Sequence, residues 1–430
     1  MNILIENGAF GGTVRAPASK SAAHRLLICA ALAQGETELE CSDVSKDIAA
    51  TAHCLNALGA RIERTENGFS VIPVDFGRLP EKAVCRCGES GSTFRFLIPV
   101  AAALGIDTDF LPEGRLPQRP LSPLYEELIV HGTRMSAQGS VPFSVRGKLT
   151  AGDYALAANV SSQFISGLLF ALPLAEGESR IRLTGKFESR SYVDMTVGAL
   201  RLFGVPIGFE NDTYTLSGCE YHTPGFVRAE GDWSNAAFWL CAGVTGSASV
   251  TVTGLSSDSL QGDRAIVDIL KDFGARIETD CDRATVYPSQ LRAIRINAEN
   301  IPDLVPVLAV TACAAEGETV IYNAARLRLK ESDRLNSVCA LIRSLGGEAR
   351  ETDDGLVITG KILSGGVCDS FGDHRIAMSA AVASIQCGGN VTVTGAEAVG
   401  KSYPRFWADF AALGGRIKNG YWIMNNQIDH

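Results

Sequence analysis

The chain has 430 residues, 46 % of them apolar and 20 % charged, with a formal net charge of −9. That composition can build large cores and argues against nucleic acid as a partner, which would call for a basic face. No positively charged start leads into an apolar stretch, so no signal peptide is read, and a soluble cytoplasmic enzyme is expected.

The elements then follow in chain order. A helix opens at SKSAAHR (Ser19 to Arg25) and closes at Gly35, and a second closes at Gly59. After it, LNALGARIERTENGFSVI reads as a glycine-capped helix end, a strand, a polar turn and a strand. The next first helix opens at SGSTFR (Ser90 to Arg95) and ends at Gly105, its second at Gly132. Further first helices open at SSQF (Ser161 to Phe164), DWSNA (Asp232 to Ala236), PDL (Pro302 to Leu304) and GDHR (Gly372 to Arg375), ending at Gly177, Gly246, Gly317 and near Gly388. Their second helices end at Gly204, Gly274, Gly346 and Gly414, so the six second-helix glycines stand 73, 72, 70, 72 and 68 residues apart.

A period this regular predicts one αβ unit used six times, each strand, helix, strand, helix, strand, strand. Six such units exceed what one core organises, so two domains of three units are expected, dividing near Arg228 to Asp232, with a ligand between them. No G-x-G-x-x-G follows a strand, so a dinucleotide site has no support. The longest uncharged run, Ser234 to Ser257, carries Gly243, Gly246 and Gly254 and reads as a buried helix, turn and strand, not a membrane span. Twelve cysteines fall singly except Cys85 and Cys87, without C-x-x-C spacing or nearby histidine pairs, and read as reduced core thiols.

Function shows at the helix starts. Second helices open near Arg119-Pro120, Ser189 to Tyr192, Gly262 to Arg264, Lys330 to Arg334 and Lys401 to Tyr403. Ser, Thr and Asp at such places are ordinary N-caps. Cations are not, because the macrodipole disfavours them, yet Lys20, Arg25, Arg95, Arg119, Arg334, Arg375 and Lys401 all lie at or near a helix start. Positive side chains beside free backbone N–H groups make anion sites, which on an acidic protein points to small phosphorylated or carboxylated substrates. Gly395 to Ser402, GAEAVGKS, also satisfies the phosphate-loop pattern G-x-x-x-x-G-K-[ST]. Only 28 residues follow Ser402, too few for the sheet of that fold, and Tyr403-Pro404 would open its helix.

In combination, PASKSAAHR, GESGSTFR, RLPQRP, SSQF, ESRSYVD, EGDWSNA, IPDL, LKESDRL, GDHRIAM and GKSYPRF resemble, from end to end, the 5-enolpyruvylshikimate-3-phosphate synthase family. The resemblance implies an α/β fold of two similar domains, each of three βαβαββ units, with the active site in the interdomain cleft. The chain would cross twice, giving residues 18–230 as one domain and residues 1–17 with 231–430 as the other. The implied reaction moves the enolpyruvyl group of phosphoenolpyruvate to the 5-hydroxyl of shikimate 3-phosphate and releases phosphate through a tetrahedral intermediate. No metal or organic cofactor is implied; the expected partners are the two substrates, with neither nucleic acid nor membrane, and nothing in the sequence requires more than a monomer.

By the same resemblance Lys20, Ser21, Arg25, Ser161, Ser162, Gln163, Ser189, Tyr192, Asp303 and Lys330 hold shikimate 3-phosphate. Lys20, Gly91, Arg119, Gln163, Arg334, Arg375 and Lys401 hold phosphoenolpyruvate. Asp303 is the carboxylate at the 5-hydroxyl and Glu331 the acid-base residue near the methylene carbon, with Lys20 and Lys401 sharing proton transfers. Taken alone, Asp303 would be an N-cap and Glu331 a first-turn acid, and His374 either a packing residue or a supporting donor. Four positions depart from the family pattern: Glu89, Arg326 and His24 stand where asparagine is common, and Phe96 where proline is frequent. The related transferase acting on a UDP sugar usually carries a cysteine in the loop that here reads GRLPQRP, which has none. An ATP-dependent kinase would require nucleotide and magnesium, and a non-catalytic anion binder leaves Asp303 and Glu331 without a purpose.

Overall fold

The computed structural model describes residues 1–418 and divides the chain into two compact units. Ala18–Ala229 forms one, and Met1–Pro17 joins the segment beginning at Glu230 to form the other. Each unit holds three four-stranded sheets. In every sheet an outer strand runs parallel to its neighbour, and the remaining two pairings are antiparallel. In four of the six sheets the parallel pair directly brackets a first helix, and in five of them a hairpin follows the second.

The turn at the end of each second helix is local chemistry. Gly59, Gly132, Gly204, Gly274, Gly346 and Gly414 all have φ between +76° and +106°. A side chain there would meet the following carbonyl, so glycine ends the helix and turns the chain into its hairpin.

Strand partners depart from a linear count. Phe226–Arg228 supplies the parallel strand beside Thr37–Glu40. Gly12–Arg15 does the same for Val250–Thr253. Asn2–Glu6 pairs with both Val391–Thr394 and Arg416–Lys418, in the place that the last hairpin's second strand takes in the other sheets. The strand expected after Lys418 lies outside the described residues.

The first helices, among them Gly91–Leu104, Trp233–Thr245 and His374–Ile385, are buried almost all round. This explains why their sequences are apolar throughout instead of striped. Gly167 permits one close crossing: a Cβ there would lie 2.6 Å from the carbonyl oxygen of Arg95 and 2.9 Å from Pro99 Cγ. Second helices such as Arg190–Leu202 bury one face only. No helix among the described residues is long and apolar enough to cross a membrane. All twelve cysteines are free, ten of them buried, with Cys219 intermediate and Cys281 exposed.

Candidate functional site

In the unit Ala18–Ala229, the helix starts are drawn together by hydrogen bonds. Ser19, Ser90 and Ser161 cap Lys20–Leu32, Gly91–Leu104 and Ser162–Ala171 through their hydroxyls. A buried chain of contacts runs from His24 Nδ1 to Thr51 Oγ1 (2.7 Å), to Thr93 Oγ1 (2.6 Å) and to Ser90 Oγ (2.7 Å). His24 is kept neutral by burial, then by Lys20 and Arg25, which together hold its pKa well below the usual histidine range.

Arg25 is the charged centre of this cluster. It is 3 % exposed, and its guanidinium donates to Thr196 Oγ1 (2.8 Å) and to the carbonyl oxygens of Ser21 (2.6 Å) and Tyr192 (2.7 Å). Those oxygens are all neutral, so burial lowers its pKa to about 10 and leaves a buried positive charge that favours an anion. Ser189, beside Tyr192, holds φ +53° without a side-chain cap, a conformation costly for serine that turns the chain into Arg190–Leu202. Lys20 donates to Asp47 Oδ2 at 3.1 Å, which fixes its direction at the first helical position.

A second group lies around Gly91. A Cβ on Gly91 would be 3.1 Å from Arg119 Nη1, 3.3 Å from Arg95 Nη1 and 3.5 Å from Gln163 Oε1. Arg95 donates to Gln163 Oε1 (2.8 Å) and to the carbonyl oxygen of Pro120 (3.1 Å), and Gln163 donates to Ser92 Oγ (3.1 Å). The structure thus brings Gly91, Arg119 and Gln163 together and adds Arg95, a cation noted at its helix start but given no role from sequence. Arg119 does not open a helix: it ends the short turn Leu116–Gln118, and the helix begins at Leu124. Glu89 packs its carboxylate against Gly114 of this loop.

In the other unit, Arg334 is the hub. Only 1 % of its side chain is exposed, and it donates to Asp303 Oδ1 (2.8 Å), Glu331 Oε2 (2.9 Å) and Asp373 Oδ2 (2.8 Å). Burial alone would lower its pKa, but Asp373, Glu331 and Asp303 raise it above the ordinary value. Arg375 donates to Asp303 Oδ2 at 2.7 Å. Burial would raise the Asp303 pKa; Arg375, Lys330 and Arg334 outweigh it and hold the carboxyl well below the usual range. Burial likewise pushes Lys330 down to about 8, against the pull of Asp303.

Two single-residue readings are settled by these contacts. Asp303 does not cap its helix, whose N-cap is Leu304 with no side-chain bond, and Glu331 lies ahead of the cap Asp333. Asp373, which sequence reasoning left out, is fully buried, caps His374–Ile385 through Arg375 N and receives Arg334 Nε. Its signal was present in GDHR as an aspartate before a buried helix. Arg326 donates to the carbonyl oxygen of Glu299, which ties its short turn to the segment leading to Asp303. Lys401, 8 % exposed, ends the short turn Ala396–Lys401, five residues before helix Phe406–Ala412. Backbone bonds from Ala398, Ser402 and Tyr403 use N–H groups that a nucleotide phosphate loop would present to its ligand. Among the described residues, no group of three or more His, Cys, Asp or Glu could hold a metal ion.

The sequence model of the family described as EPSP synthase (3-phosphoshikimate 1-carboxyvinyltransferase) matches residues 6–410. The chain belongs to the EPSP synthase family. It is 45 % identical to the 3-phosphoshikimate 1-carboxyvinyltransferase of Clostridium kluyveri, over 94 % of this chain and 96 % of that protein. Identity to the Clostridium novyi enzyme of the same description is 41 %, over 98 % and 99 %. Among solved structures, the EPSP synthase of Acinetobacter baumannii superposes with a TM-score of 0.82 at 27 % identity, covering 97 % of this chain and all of that one. Membership in the EPSP synthase family accords with an α/β enzyme whose cations gather around Arg25, Gly91 and Arg334.

Proposed function

We propose that the chain transfers the enolpyruvyl group of phosphoenolpyruvate to the 5-hydroxyl of shikimate 3-phosphate, releasing phosphate. The observation that carries this reading is Asp303 held between Arg334 and Arg375, with Lys330 and Glu331 beside it. An anion-binding protein needs the cations but not two carboxylates among them. A base and a proton donor set among anion-binding groups is what enolpyruvyl transfer requires.

Arg25, with Ser21, Ser161, Ser162, Ser189 and Tyr192, takes the shikimate phosphate and ring, and Lys20, Gln163, Asp303 and Lys330 complete that set. Phosphoenolpyruvate is held by Lys20, Gly91, Arg119, Gln163, Arg334, Arg375 and Lys401. Asp303 removes the hydroxyl proton as the oxygen bonds to the central carbon of phosphoenolpyruvate. The methylene carbon gains a proton from Glu331, with Lys20 and Lys401 sharing the transfers, and gives one back as phosphate leaves. Arg334 and Arg375 hold Asp303 as a weak base in the substrate-free chain; phosphoenolpyruvate competes for both guanidiniums and so raises its basicity. The cations also meet the charge that develops on the leaving phosphate.

The test is phosphate release from phosphoenolpyruvate with and without shikimate 3-phosphate, in buffer with a chelator and no nucleotide, for the native chain and Asp303→Ala. Release that needs the shikimate and falls at least about a hundredfold in the variant supports the reading. Release only with ATP or with a UDP sugar would refute it. The reading extends to a monomer in the cytoplasm, supported by twelve free thiols, and light scattering at micromolar protein checks the monomer.

A further inference from the structure

His24 is fully buried, and the reaction above makes no use of it. It sits on Lys20–Leu32, one position before Arg25, and it begins a chain of contacts that crosses three helices. Thr51 lies on Lys46–Ala57, whose Asp47 receives Lys20, and Thr93 lies on Gly91–Leu104, capped by Ser90. His24, Thr51 and Thr93 are 0 % exposed and Ser90 1 %, so the chain is shut off from bulk water.

The direction of every proton in this chain follows from its last link. Thr93 Oγ1 donates to Ser90 Oγ at 2.7 Å or, over 3.5 Å, to the carbonyl oxygen of Asp47. Either bond takes its single hydrogen, so Thr51 must donate to Thr93 at 2.6 Å and accept from His24 at 2.7 Å. His24 therefore carries its proton on Nδ1. Its Nε2 meets no hydrogen-bond partner among the described residues, which suits a bare lone pair and not a buried N–H. A donor at one end and a helix cap at the other make a polarised line in which each bond strengthens the next.

We propose that His24 is a positioning residue for phosphoenolpyruvate: through Thr51 and Thr93, its Nδ1–H fixes the Ser90 cap and with it the place of Gly91. Ser90 Oγ also receives Thr93 N at 3.3 Å, so the same oxygen ends the line and starts the helix. Gly91 is the next residue. A Cβ on it would stand 3.1 Å from Arg119 Nη1 and 3.5 Å from Gln163 Oε1, so a small displacement of this helix start alters the space left for a ligand.

The inference rests on Gly91 and Arg119 holding phosphoenolpyruvate. Its test is KM and kcat for phosphoenolpyruvate at saturating shikimate 3-phosphate in the native chain, His24→Asn, His24→Leu, Thr51→Ser and Thr51→Val, with thermal unfolding to confirm that each is folded. Leucine fills the site without a donor, and valine matches threonine in shape but breaks the line. Both should raise KM about fivefold, the effect of one neutral hydrogen bond, with kcat within about twofold of native. Asparagine keeps a donor in place, because its Nδ2, like histidine Nδ1, is bonded to Cγ. His24→Asn should therefore unfold at lower temperature, from the void it leaves, yet keep the native KM, as should Thr51→Ser. A structural role alone would make KM follow stability instead. Nitrogen NMR of the native chain, with His24 assigned by loss of its signals in His24→Asn, should show Nδ1 protonated and Nε2 bare. A native KM in folded Thr51→Val, an equal rise in His24→Asn and His24→Leu, or a protonated Nε2 overturns the role of His24 and leaves the transferase reading intact. A folded native chain without shikimate-dependent phosphate release overturns both.

Discussion

Arg334 Nε and Asp373 Oδ2 meet at 2.8 Å across 39 residues of chain, with side-chain exposures of 1 % and 0 %. This pair leaves the two other nitrogens of Arg334 directed at Asp303 and Glu331. A guanidinium gripped from behind has its fork aimed before a ligand arrives, which lowers the ordering cost of binding. Asp373→Asn keeps the shape and removes the charge. It should lower stability by about 3 kcal/mol in denaturant unfolding, as breaking a buried pair does. It should also raise KM for phosphoenolpyruvate. Native stability in the variant would show that the pair is not the anchor.

In the substrate-free folded chain Asp303 favours its ionised form. Its folded pKa lies well below the ordinary carboxylate value, held there by Arg375, Lys330 and Arg334 against burial. The stability it contributes is therefore present above the unfolded value of about 4 and lost as pH falls through the folded one. Urea unfolding of the native chain and Asp303→Asn should differ by a constant amount above about pH 5, and the difference should shrink on further acidification. A difference that grows in acid contradicts the assignment.

Lys330 titrates on the alkaline side. Burial lowers it to about 8, so between that value and its unfolded one the unfolded chain binds more protons, and stability rises with pH there. Binding runs the other way, because the neutral amine attracts an anion less. KM for shikimate 3-phosphate should climb above about pH 8 in the native chain, and Lys330→Gln should flatten that climb. An equal climb in the variant would place the titration elsewhere.

Gly91 separates folding from binding. In Gly91→Ala the new methyl meets the guanidinium ends of Arg119 and Arg95 at 3.1 and 3.3 Å. Those ends can give way, and alanine suits a helix better than glycine by up to about 1 kcal/mol, so the unfolding temperature should hold or rise. Displaced guanidiniums should raise KM for phosphoenolpyruvate by about tenfold. Glyphosate, which resembles phosphoenolpyruvate, should inhibit the native chain in competition with it and the variant more weakly. Native chain unaffected by millimolar glyphosate would reject this.

The six helix-ending glycines and the alternation of strands and helices were legible in the sequence, because a positive φ, a cap and a hairpin are decided within a few neighbouring residues. So were the Ser19, Ser90 and Ser161 caps. Taken alone, Asp303 reads as an N-cap, and it is the resemblance that makes it a carboxylate among cations. That choice depends on Arg334 and Arg375, 31 and 72 residues away, and only the packing of three helix starts brings them to its two oxygens. The parallel pairing of Phe226–Arg228 with Thr37–Glu40, and the place of Asn2–Glu6 beside Val391–Thr394, belong to the tertiary structure for the same reason. Local preference shapes an element, whereas the strand or charge that meets it from far along the chain is selected by burial of the shared core.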